Sequence, residues 1–350
     1  MTGRVEELLG IRHPVLLGAF GGLSNVSLTA AVSESGGLGQ YGLYGYSGDR
    51  IRETVAALRA ATTRPFGLNL WIPRGDEVTP AGVDPAEVTA ALAGFYAETG
   101  INAPRVPQAF LPAYEEQFAA VLEARPAVLG VVYGVPSADE IAAAHERGIR
   151  VLGTATTVAE ARALAVGGVD AIVASGAEAA GHRVSFLRPA EESLVGTFAL
   201  VPQIADAVEV PVIAAGGIAD RRGVAASFAL GAEGVVVGTA FLATRQSAAT
   251  AAHRLAVATA SADDTVLTRA MSGRLARGIP NRAVREIEAS ERIAPFPAQN
   301  WATGVFRAEA ARRDEGELLS LWAGQAAPLA RHTDAVELFA ELVAGVPRQG

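Results

Sequence analysis

Short apolar, β-favouring runs recur along the chain, separated by alanine-rich stretches with apolar positions at helical spacing. The runs are Val15–Phe20, Leu38–Leu43, Pro65–Trp71, Val128–Gly134, Val151–Ala155, Ala171–Ser175, Pro211–Ala215 and Gly234–Gly238. Between them, segments such as Ala138–Arg147, Val158–Val166 and Asp220–Leu230 carry a helical pattern. Short apolar strands alternating with helices predict βαβ units and a parallel sheet. Eight such units predict closure into an α/β (β/α)8 TIM barrel. A doubly wound open sheet shares the local pattern, but the number of units and the placement of the glycines favour the barrel.

Two regions break the alternation. Residues 72–110 hold several prolines and read as an insertion between the third strand and its helix. Residues 245–350 mix helical patterns with proline-rich connections such as Ala294-Pro-Phe-Pro297. The expected organisation is a barrel over 1–244 and a C-terminal extension over 245–350 that packs on the barrel mouth. A chain of 350 residues suits one barrel with such additions.

Composition narrows the chemistry. Half of the residues are hydrophobic and mean hydropathy is +0.26, as buried parallel strands would produce. There is no cysteine, so a disulfide, a thiolate metal site and a cysteine nucleophile are excluded. All 29 basic residues are arginine, which excludes Schiff-base lysines and the P-loop lysine. The formal charge of -8, without runs of like charge, argues against nucleic acid or an anionic membrane as partner. No run of about 18 apolar residues is present to cross a membrane. Charges in Met1-Thr-Gly-Arg-Val-Glu-Glu7 stand where a signal peptide needs an apolar core, so a cytoplasmic protein is expected.

The strongest chemical signal lies late in the barrel. Pro211-Val-Ile-Ala-Ala-Gly-Gly-Ile218 is a buried strand ending in Gly216 and Gly217, with a helix starting near Asp220. Gly234-Val-Val-Val-Gly-Thr-Ala240 is a second strand ending in Gly238 and Thr239. Glycines let backbone N–H groups approach a phosphate, and helix N-termini favour its charge. Barrel enzymes commonly bind phosphate after strands seven and eight. Tight turns leaving the strands would explain either site alone, but two sites coinciding at the expected strand positions favour the phosphate.

After strand six, Ala174-Ser-Gly-Ala-Glu-Ala-Ala-Gly-His-Arg183 sets His182 among small residues at the carboxyl end of the barrel, where an imidazole can act as general base. His13, His145, His253 and His332 lie in helical or terminal contexts, read as structural, and no spacing among them resembles a metal site. Asn69 is an amide within an apolar strand, where it needs a partner from the backbone or from a ligand. Gly18-Ala-Phe-Gly-Gly22, which includes Ala19 and Phe20, leaves the first strand with little bulk, as a flat ring system would require.

These motifs resemble those of the nitronate monooxygenase family, formerly the 2-nitropropane dioxygenases. The likeness runs through Ser35–Gly39, Pro65–Asn69, Gly153–Thr157, Glu178–His182, Ala214–Asp220 and Val237–Thr239. It continues through Ser272–Ile279 and Trp322–Ala327, and so spans almost the whole chain. The resemblance implies FMN and no metal. Asn69, Gly181, Gly217 and the stretch Val236, Val237, Gly238 and Thr239 match positions that hold the flavin or its phosphate. Three positions depart from the family pattern. Ser175 stands where many relatives have Gln facing the ring. Ala180 replaces the first glycine of Ala-Gly-Gly-His, at a cost of about 1 kcal/mol if the site needs positive φ. Phe20 stands where relatives often carry Met.

The implied reaction is oxidation of an alkyl nitronate by O2 to a carbonyl compound and nitrite. His182 would take the α-proton of a nitroalkane or hydrogen-bond the nitronate. The alternative is an FMN-dependent NAD(P)H reductase of quinones or enoyl thioesters, which shares the fold and the His loop. A flavin-binding protein without activity is a third reading, which the retained His182 opposes. An IMP dehydrogenase-like enzyme would need a cysteine. The Ala-rich helices and the extension leave room for a homodimer, although no interface signature is visible.

Overall fold

All eight expected strands form, and together they curl into a barrel. In the computed structural model, which describes residues 3–347, eleven strands occur among the described residues. In chain order they are β1 (Val15–Leu17), β2 (Gly39–Gly42), β3 (Phe66–Trp71), β4 (Val128–Val132), β5 (Arg150–Ala155), β6 (Ala171–Ser175), β7 (Gly181–His182), β8 (Val212–Ala215), β9 (Gly234–Val237), β10 (Val266–Thr268) and β11 (Ala276–Gly278). Eight of them lie parallel in the order β1-β9-β8-β6-β5-β4-β3-β2. Leu16 stands opposite Val236, and Asn69 opposite Gly130. A parallel bridge between Leu16 and Leu38 joins the two ends of this order. A doubly wound sheet would have kept two open edges.

Two apolar layers explain why the strands read as continuous hydrophobic runs. Inside the barrel, Leu16, Leu38, Val128, Leu152, Val173 and Ile213 pack together with Val5, Leu9 and Ile11 of the N-terminal segment. Outside it, alternate strand residues such as Leu17, Leu68, Val151, Ile172 and Val235 pack against the helices. The helices are started by capping side chains at the ends of the βα turns. Thr157 accepts the N–H of Glu160, and Asp220 accepts those of Arg222 and Gly223. Satisfying those donors fixes where each helix begins.

The expected boundary at residue 244 cuts through the barrel's outer ring. Only the short helix Thr239–Leu242 follows β9 directly. The helix that completes the ring is the last one, Ala335–Val343, packed against β1 and the helices Val26–Ser35 and Arg221–Ala229. Leu338, Phe339 and Leu342 join the barrel's outer core there. Residues 245–334 are therefore a long excursion between the eighth strand and its helix.

That excursion and the insertion over 72–110 share one core. Leu92, Phe95 and Tyr96 from the insertion pack on Phe306 and Leu318, with the Phe95 and Phe306 rings stacked 5.0 Å apart. A small antiparallel sheet, β10-β11-β7, ties the excursion to the loop after β6 and pairs His182 with Ala276. Strands of two or three residues carry no alternation, so the sequence pattern could not announce them. Among the described residues, no helix is long and apolar enough to cross a membrane.

Candidate active site

A cavity of about 270 Å3 opens at the carboxyl ends of the barrel strands. Ala19, Phe20, Asn69, Ser175, Ala180, Gly181, His182, Gly216, Gly217, Val236, Gly238 and Thr239 all line it. Val237 does not. Its side chain points the other way along the pleat and is fully buried between the strands and the helices, and only its carbonyl, accepting from Gly18 N–H, faces the first strand's loop.

One end of the cavity is built from backbone. Gly216 and Gly217 have φ of 99° and 73°, a conformation that costs glycine little and other residues more. A Cβ on Gly216 would press on Ala179 N at 3.1 Å and Gly176 O at 3.2 Å, so a side chain there would push the loop after β6 aside. The N–H groups of Gly217, Gly238 and Thr239 have no protein acceptor among the described residues. Three free donors at adjoining turns, two of them opening the helix Thr239–Leu242, suit the oxygens of a phosphate. Glu178 also lines this end, with its carboxylate held by Thr197 N–H and Oγ1.

The walls carry buried amides and small residues. Asn69 is 9% exposed, and its amide has no hydrogen-bond partner among the described residues, so its donors and acceptor face the cavity. Gln40 on the next strand also faces in, anchored by its donation to Leu17 O at 2.7 Å. In the loop after β6 the positive φ falls on Gly181, at 71°, and not on Ala180. The alanine therefore carries no left-handed strain, and a Cβ on Gly181 would meet nothing within 4 Å.

The opposite end is built from side chains. His182 packs edge-on against Trp71 at 5.0 Å and tilted against Trp322 at 5.6 Å. Its Nε2 lies 2.8 Å from Ser272 Oγ, whose single hydrogen can go either to this nitrogen or to Arg274 O at 3.1 Å. Burial, with the Arg274 and Arg307 guanidiniums nearby, holds the imidazole down to about 3, so it is neutral near pH 7. Arg274 pairs with Asp76 and Glu77 and lies over the Phe296 and Tyr133 rings. Asn300, Arg307, Trp322 and Gly324 reach the cavity from the C-terminal excursion. Tyr44 joins them, accepting from Asn300 Nδ2 at 3.0 Å, and burial keeps its phenol protonated well above the ordinary tyrosine range.

Sequence reasoning missed Gln40, Tyr44, Trp71, Ser272, Asn300, Arg307 and Trp322 as parts of this cavity or its support. Gln40 carried the same signal as Asn69, an amide within a β run. Arg307 lies on the helix Ala298–Arg313, among other arginines and alanines, and had no local signal. The other histidines stand elsewhere: His145 bonds Asp170 at 2.8 Å, and His253 lies 3.0 Å from Trp322 O. Among the described residues, no group of three or more His, Asp or Glu side chains is placed to hold a metal.

A closed (β/α)8 barrel with free backbone N–H donors, cavity-facing amides and a neutral histidine at the carboxyl ends of its strands has the layout of a barrel enzyme's active site. Comparison with known proteins then fixes the family. The family model described as nitronate monooxygenase matches residues 3–345. A Staphylococcus aureus protein named "Probable nitronate monooxygenase" is 37% identical over 342 residues, covering 97% of this chain and 96% of the relative. The nitroalkane oxidase of Streptomyces ansochromogenes superposes with a TM-score of 0.85 at 33% identity, over 97% of this chain and 96% of that one. FabK from Thermotoga maritima superposes with a TM-score of 0.76 at 30% identity, over 98% and 95% of the two chains. The chain belongs to the nitronate monooxygenase family.

Proposed function

We propose that the chain is an FMN-dependent monooxygenase that oxidises alkyl nitronates with O2 to carbonyl compounds and nitrite. The observation that carries this reading is the meeting, in one cavity, of a backbone phosphate cradle and a neutral imidazole between Trp71 and Trp322. The FMN phosphate would sit at Gly216–Gly217 and Gly238–Thr239. Ala19, Phe20, Asn69, Ser175, Ala180, Gly181 and Val236 would flank the rest of the cofactor. When bound, the flavin supplies the electron-accepting and oxygen-reducing chemistry.

The protein's own contribution is positioning and proton control. His182 is unprotonated near neutrality, the state required of a base. A conjugate acid held near 3 makes proton removal from a neutral nitroalkane uphill until negative charge develops beside the ring. A preformed nitronate needs no base and meets a positive field. The geometry thus favours nitronates as the better substrates, with nitroalkanes second.

The test begins with the purified protein, which should be yellow and should release FMN on denaturation. Under anaerobic conditions ethyl nitronate should bleach the flavin, and readmitted air should yield nitrite. A colourless protein that no FMN reconstitutes would overturn the reading. The likeness to FabK motivates the second reading, an NAD(P)H-dependent reductase of quinones or enoyl thioesters. Bleaching by NADPH without bleaching by ethyl nitronate would establish that one instead.

A further inference from the structure

Arg307 is a charge without a counter-charge. It donates from Nη1 to Ser320 Oγ at 2.9 Å, and from Nη2 to Asn300 O at 3.2 Å and Asn300 Oδ1 at 2.7 Å. All three acceptors are neutral, and no carboxylate among the described residues lies within ion-pair distance. A guanidinium has five N–H groups. Two therefore remain, one on Nη1 and one on the buried Nε, which has no partner. Arg274, the other guanidinium acting on His182, is neutralised by Asp76 and Glu77. Removing an unpaired cation from water is costly, and folding tolerates it where an anion later supplies the compensation.

The surroundings identify that anion by chemistry. Arg307, Asn300 and Tyr44 form a hydrogen-bonded chain, and all three line the cavity that holds His182. Tyr44 Oη accepts from Asn300, so the phenol's own hydrogen remains free to donate. Nearby walls are aromatic, from Trp71 and Trp322. The arrangement offers donors and one positive charge at the rim of an apolar slot, which suits a small planar oxyanion with an apolar tail.

We propose that Arg307, with the Tyr44 hydroxyl, holds the charged oxygens of the substrate, and that small planar oxyanions compete for this place, product nitrite included. The proposal rests on the nitronate reading above for the identity of the natural occupant. Asn300 and Ser320 are then the braces that aim the guanidinium. Recognition of the anion falls to a residue of the C-terminal excursion, while the barrel turns receive the cofactor phosphate.

The test uses the FMN-loaded enzyme and nitrate, which is unreactive, planar and singly charged. Nitrate should perturb the flavin absorbance on titration and should compete with ethyl nitronate. In Arg307→Met, the nitrate Kd and the KM for ethyl nitronate should both rise by about ten- to a hundredfold, the usual worth of a charge-assisted hydrogen bond. Arg307→Lys should restore most of the nitrate affinity, which a merely structural arginine would not predict. Unchanged nitrate affinity in an Arg307→Met protein with full FMN would overturn the proposal. If that variant does not fold, the wild type and Arg307→Lys decide: nitrate that binds neither, or binds without competing, overturns it equally. Failure of the nitronate reading looks different, because the wild type would then release no nitrite whether or not nitrate binds.

Discussion

The two ends of the cavity are built by opposite strategies. At the end proposed for the phosphate, the cavity is built from free backbone N–H groups and left-handed glycines, and every contributing residue lies within the turns after β6, β8 and β9. At the histidine end, side chains from four distant segments converge: Trp71 from β3, His182 from β7, Arg307 from the helix Ala298–Arg313, and Trp322 beyond it. A backbone site tolerates changes of side chain but not of conformation. A side-chain site depends on packing far from itself. The first end has the form in which barrels commonly bind a phosphate, and under the proposed function the second would set specificity.

Breaking the side-chain end at its centre should give the largest effect. His182→Asn keeps a polar group but cannot accept a proton at neutral pH. It should lower the rate on nitroethane by about 10²–10⁴-fold and the rate on ethyl nitronate far less. Equal losses on both substrates, with full FMN, would mean that the imidazole steadies the anion and does not create it.

The second variant attacks the same end from a distance. Phe306 is fully buried in the core shared by the insertion and the excursion, one residue before Arg307. Phe306→Ala should destabilise by about 3–5 kcal/mol. Thermal melts followed by protein and by flavin fluorescence should show the excursion loosening, with nitronate turnover lost before FMN. Loss of FMN first would mean that the two ends are not separable.

Gly217→Asp attacks the backbone end. It adds φ strain at 73° and a carboxylate near Glu178, whose Cβ would lie 3.7 Å from the new Cβ. At about 4 Å, like charges repel by about 1–4 kcal/mol between bulk water and a protein surface. FMN affinity should fall by roughly tenfold or more, while turnover at saturating FMN stays close to wild type. Unchanged affinity would place the phosphate elsewhere.

The last prediction concerns stability against pH. His182 is ordinarily protonated around 6.5 but in the fold only near 3, so the unfolded chain binds its proton first. Its contribution is fully present above pH 6.5 and is lost as pH falls towards 3. Melting temperatures of wild type and His182→Gln across that window should converge on the acid side. Parallel curves would show that the ring is not held neutral. His13 and His253 are lowered too, by burial first, and only the difference between the two proteins isolates His182.

Much of the barrel was legible because its signals are local. Apolar runs mark strands buried on both faces, and Ala171–Ser175 and Val158–Val166 carry the bounds read from their pattern. Asp220 shows why a boundary can still shift by one residue: it caps its helix from outside. The final helix was misassigned because an amphipathic stretch does not record which surface it covers.

What the sequence determined by itself is the alternation that makes the barrel and the glycines whose backbone freedom shapes the turns at its mouth. Both depend on neighbours in the chain. Only the tertiary structure decided that Ala180 escapes the left-handed conformation, that the last helix closes the ring, and that His182 is neutral. It alone left Arg307 without a counter-charge. The reason is physical: desolvation and Coulomb interactions depend on distance in space, and the groups that set them here are brought together only by packing.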